Sequence, residues 1–197
     1  MARQYFNSSL ADSAIVSAST GSITSLTGIF TPAQANQFFP LPFGVNGGPF
    51  AGQVFRFTAG GLFTTGTTGT MIITAVHGPS TAQVALTAAT VLATSATITY
   101  APSITNGAWR MEGDLVYRTI SNAATVSTAW IVGQFIAQGV TGTAGYAFVI
   151  PFSSTAAVSV DTTGAGSLGS YGALNFGITF SVASTVTAQY TCMQALN

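Results

Sequence analysis

Trp109-Arg110-Met111-Glu112-Gly113-Asp114-Leu115-Val116-Tyr117-Arg118-Thr119-Ile120 alternates between two kinds of residue. In an extended chain, Trp109, Met111, Leu115 and Tyr117 fall on one side, and Arg110, Glu112, Asp114 and Arg118 on the other. That period of two is the signature of a β-strand, whose successive side chains point to opposite faces of a sheet. One face is therefore built for a core. The other gathers half of the formal charges of the whole chain.

Working outward, the same alternation recurs. Phe55 and Phe57 are interleaved with Val54, Arg56 and Thr58, and Leu174, Phe176, Ile178, Phe180 and Val182 with Asn175, Gly177, Thr179 and Ser181. After a short break at Ala183-Ser184, Val186, Ala188, Tyr190 and Cys192 are expected to share a face. Thr70 to His77, Val126 to Ala137, Tyr146 to Phe152 and Ala156 to Val160 read as further strands, and Ala82 to Tyr100 as two short ones. Gly60-Gly61 through Gly69 reads as a turn-rich connection, and the Pro- and Gly-dense stretch from Phe30 to Phe50 as an irregular loop. The aromatics of that loop, Phe38, Phe39, Phe43 and Phe50, call for burial under a sheet or at an interface. No stretch carries a helical period. About eight to ten antiparallel strands in one all-β domain mean a sandwich, a jelly roll or a barrel.

Residues 1–28 read as an extended N-terminal arm with one or two short strands, preceding a domain at 29–197. Its text is small and polar, broken by Phe6, Leu10, Ile15 and Ile23, the expected anchors. Ordering such a segment costs about 1–2 kcal/mol of backbone entropy per residue. The arm is therefore expected to draw its order from a neighbouring subunit or a larger shell.

Composition sharpens the functional reading. The 197 residues include four cationic and four anionic side chains, no lysine and a net charge of zero, while 48% are hydrophobic. Ordinary domains are about 25% charged, and charge keeps a free monomer dispersed. A surface this poor in charge is expected to be covered, by copies of itself or by a larger assembly. The scattered arginines give no electrostatic footprint for nucleic acid. No apolar run reaches the ~18 residues of a membrane-spanning helix, and the strand lengths fit an outer-membrane barrel poorly. Residues 1–7 lack the apolar core of a secretion signal, so the Asn7-Ser8-Ser9 triplet reads as chance. The single Cys192 excludes an internal disulfide and reads as a small core residue.

Candidate chemistry is sparse. His77 is the one histidine, and no Gly-x-Ser-x-Gly elbow accompanies it. One histidine and one cysteine make no metal site of that type. Gly164-Ala165-Gly166 lacks the Lys-Ser/Thr of a phosphate loop. Glu112 and Asp114 are the one close carboxylate pair, and two acids flanking a bond can hydrolyse a glycoside. Arg110 and Arg118 share their face, however, so the four read better as a cross-strand or intersubunit ion-pair ladder. No cofactor is expected.

Several pieces fall in a recognisable order: Pro32-Ala33-Gln34-Ala35-Asn36, then Gly52 to Gly61, the strand from Trp109 to Thr119, the turn from Val160 to Thr163, and a final alternating pair. From Pro32 onward the chain resembles the small jelly-roll virion proteins of tailed bacteriophages, found as head decoration, head-fibre or tail-associated proteins. The resemblance implies a single jelly-roll β-sandwich and no transferable site residues. It implies a homotrimer, with the major capsid protein or other virion proteins as partners and the capsid surface as location. The absence of coiled-coil heptads leaves a compact knob rather than a fibre shaft. Two competing readings remain: a tail-tip or receptor-binding module, and a β-sandwich carbohydrate-active enzyme.

Overall fold

The computed structural model describes residues 6–17, 27–28, 50–79, 90–120, 127–138, 147–160, 172–182 and 184–196. All regular structure within them is strand: β1 (Phe6–Ser17), β2 (Thr27–Gly28), β3 (Val54–Thr65), β4 (Gly69–Pro79), β5 (Thr90–Thr94), β6 (Ile98–Tyr100), β7 (Gly107–Thr119), β8 (Ser127–Gln138), β9 (Ala147–Ser153), β10 (Val158–Val160), β11 (Gly172–Phe180) and β12 (Ser184–Ala195). The protein is an all-β sandwich. Its larger sheet runs β1-β12-β3-β7-β8, with β9 and β10 both paired to the far side of β8, and its smaller sheet runs β2-β11-β4 with β5 and β6 beside β4. Every pairing is antiparallel.

The order has a simple logic. The pairs β1–β12, β2–β11, β3–β7 and β4–β5 are rungs of one long antiparallel ribbon. Rolling that ribbon across two layers brings β12 beside β3 and β11 beside β4, and both contacts are formed. The strands β8, β9 and β10 extend the large sheet beyond β7, which raises the count above the eight to ten expected.

The core lies between the layers and is aromatic. Phe55, Phe57 and Phe63 of β3 and Met111, Leu115 and Tyr117 of β7 face Phe176 and Phe180 of β11, all at 1% exposure or less. Phe57 and Phe176 bridge the two sheets with ring centroids 5.0 Å apart, and Phe152 of β9 joins them. Buried polar groups find partners, as burial demands. Tyr100 Oη and Ser184 Oγ lie 2.9 Å apart, and Trp109 Nε1 donates to the Leu62 carbonyl at 3.1 Å. Ser154 Oγ donates to the Leu92 carbonyl at 2.8 Å and thereby links the sheets.

Three sequence expectations change. Gly60 and Gly61 lie inside β3 rather than in a turn, hydrogen-bonded to β12 on one side and β7 on the other. Glycine there has a packing reason, because the Tyr190 ring occupies the space that a Gly60 side chain would need. Tyr190 does not share the face of Val186: a bulge between Ala188 and Tyr190 inserts one residue and reverses the phase. Val186 is 3% exposed and Tyr190 41%. Finally, the arm stretch contains a full strand, β1, which pairs with β12 along its length. Phe6, Leu10 and Ile15 stand opposite Gln194, Tyr190 and Val186. The surroundings of those three anchor side chains lie outside the described residues, as do Ile23, the side chain of Cys192, and the loop aromatics Phe38, Phe39 and Phe43. Phe50 is described and is 52% exposed.

Candidate functional site

On the outer face of the large sheet, β3, β7, β8 and β9 run side by side in a register unbroken across this region. The register aligns their outward side chains in rows across the strands. Arg56, Asp114, Val132 and Ser153 make one row, and Thr58, Glu112, Gln134 and Pro151 the next. Arg110 begins a third row, beside Gly60 and Ile136.

Charge on this face is spent internally. Arg56 forks onto Asp114, Nε donating to Oδ1 at 2.9 Å and Nη2 to Oδ2 at 3.0 Å. The hydrogen bonds to Asp114, then its charge, raise the guanidinium pKa further above its already high value. Arg110 pairs with Glu112, two residues along the same strand face. The Gln134 amide donates to the other Glu112 oxygen at 2.8 Å. Both Asp114 oxygens and one Glu112 oxygen thus accept a hydrogen bond, the other Glu112 oxygen is paired with the Arg110 guanidinium, and all keep further acceptor capacity. The arginine side chains remain more than half exposed, at 55% and 56%, so these pairs are worth little in stability. Together the groups surround a shallow trough of about 600 Å³.

The membership of the ion-pair set therefore differs from the sequence expectation. Arg110, Glu112 and Asp114 lie together beside the trough, and Arg118 does not join them. A bulge between Tyr117 and Thr119 falls at Arg118 and takes it out of the row pattern of β7. Arg56 stands in its place. Its outward position was legible from the Phe55-Arg56-Phe57 alternation, but only the β3–β7 register brings it opposite Asp114.

His77 sits in β4 with 2% exposure. Its Nε2 lies 3.0 Å from Tyr117 Oη on β7, so the pair bridges the two sheets. Burial pushes the Tyr117 hydroxyl pKa well above its ordinary value. This geometry is that of a hydrogen-bonded core histidine. Among the described residues, no group of three or more His, Cys, Asp or Glu side chains is placed to hold a metal ion, and no helix is long and apolar enough to cross a membrane.

No protein-family model matches the chain, and neither a curated protein nor a solved structure is significantly similar to it.

Proposed function

We propose that this chain is a structural virion protein, a decoration protein that assembles as a homotrimer on the capsid surface of a tailed bacteriophage. The rolled-ribbon pairing of β1–β12, β2–β11, β3–β7 and β4–β5 supports reading the sandwich as a jelly roll. The observation that carries the functional reading is the near absence of charge. Four cations and four anions serve 197 residues, and two of each neutralise one another on a single sheet face. A freely diffusing protein needs more. A protein that spends its life covered by neighbours does not. Closed symmetry is the ordinary way to cover such a surface, and a stable interface buries at least about 1,000 Å².

In this reading the protein is not an enzyme, takes no cofactor, and contacts copies of itself and shell proteins rather than nucleic acid or membrane. Light scattering on the purified protein tests the trimer, and imaging of intact particles tests the location. Many copies spread over the head are expected. A handful at one vertex would instead favour the tail-tip or receptor-binding alternative, and a stable monomer at micromolar concentration would remove the ground for the assembly reading.

A further inference from the structure

The trough on the large sheet has a chemistry that a decoration role does not use. Its floor is the row Thr58, Glu112, Gln134 and Pro151, which crosses four strands. At about 4.8 Å between strands, that row extends about 14 Å. Arg56, Asp114 and Val132 wall one side and Arg110 the other.

We propose that this trough binds a neutral oligosaccharide lying across the strands. This goes beyond the virion reading and does not depend on it. Three features carry it. First, floor and walls together sum to zero charge, with guanidinium and carboxylate side by side. An ionic ligand that gains from one partner is penalised by the other, whereas a hydroxyl donates and accepts at once and spans both. Second, the ion pairs and the Gln134–Glu112 bond hold the polar groups in place before any ligand arrives. Little side-chain freedom is then left to lose on binding. Third, Val132, 37% exposed, and the exposed Pro151 offer apolar surface beside the polar groups, matching the C–H face of a sugar ring. The volume of about 600 Å³ suits a small ligand. Along the centre of the trough an added peptide strand is disfavoured, because β3, β7 and β8 are each paired on both sides, although β9 at its end pairs with β8 alone among the described strands.

The test titrates the ¹⁵N-labelled full chain, in whatever assembly it forms, with maltohexaose, cellohexaose and chitohexaose, and with a hyaluronan hexasaccharide as acidic comparator. Saturable binding of at least one neutral hexaose is expected, with amide shifts confined to residues 56–58, 110–114, 132–134 and the neighbours of Pro151, all of which line the trough or adjoin it. Gln134→Ala and Arg110→Ala should each weaken that binding about tenfold without moving the melting temperature by more than the measurement error. Should Gln134→Ala fail to fold, Arg110→Ala carries the comparison. Failure of all three neutral hexaoses to bind, tighter binding of hyaluronan, or shifts elsewhere on the molecule would each overturn the proposal. None of these outcomes touches the trimer or the location on a particle, so the two readings fail separately.

Discussion

The two faces of β7 lie one side chain apart and obey different physics. Inward, Trp109, Met111, Leu115 and Tyr117 are at most 3% exposed and pack in a shared aromatic core. Outward, Arg110, Glu112 and Asp114 stay in contact with water, Arg110 pairing with Glu112 along the strand and Asp114 with Arg56 of β3 across it. Burial makes the inner face expensive to alter, since a cavity forfeits both transfer energy and packing. Solvent screening makes the outer face cheap to alter, since water replaces what a substitution removes. The difference teaches that one side of the strand carries the stability, which leaves the other side free for the recognition proposed above.

The contrast is broken most severely by Phe57→Ala. Phe57 is fully buried between Phe152 and Phe176, and its truncation should cost about 3–5 kcal/mol in a chemical denaturation series. Next comes Gly113→Ala. Gly113 and Gly133 are paired neighbours on β7 and β8, and an added Cβ at Gly113 would meet the Val132 carbonyl and, at 2.6 Å, the Phe57 ring. Overpacking of that kind should cost about 1–3 kcal/mol by the same measurement.

A smaller effect is expected from Tyr117→Phe, which removes the hydroxyl beside His77 and should cost about 1–2 kcal/mol near neutral pH. It also carries a pH signature. The buried Tyr117 holds its proton well above the ordinary tyrosine value, while the unfolded chain releases it near pH 10. Above that point the native state binds more protons than the unfolded state, so stability is complete below about pH 10 and falls as pH rises further. Denaturation midpoints between pH 8 and 11 should fall less steeply in Tyr117→Phe. Part of the slope should remain, because burial also raises the Tyr100 pKa. The smallest change belongs to the outer face: Glu112→Gln should shift stability by no more than about 0.5–1 kcal/mol. A loss as large as that of Phe57→Ala would erase the distinction between the faces.

What the sequence disclosed follows the same division. The inner face of β7 was legible because one uninterrupted alternation spans it, and the strand observed begins two residues before Trp109. β12 was legible as a strand but not as a face, because the bulge after Ala188 adds a residue that no propensity announces. Gly60-Gly61 misled for a related reason. Glycine weakens a strand locally, and only the two flanking strands and the Tyr190 ring explain why it stays in one here. At the site, Glu112 and Asp114 could be singled out, but the choice of Arg56 over Arg118 is a fact of register. Periodicity reports which way a side chain points. It does not report which side chain it meets.

The rolled ribbon also dictates when the molecule can form. Phe6 pairs with Gln194, so the first strand described waits for the last. During synthesis at about 5–20 residues per second, β1 and β2 emerge long before β11 and β12, and β3 lacks one of its two neighbours until β12 arrives. Pairings this distant in sequence place a protein among slow folders, on the scale of milliseconds to seconds. Until they close, the unpaired edges of β3 and β4 are open to the wrong strand, including one from another nascent copy. A high local concentration of copies, which would favour the proposed assembly of the finished fold, is a hazard to the unfinished one.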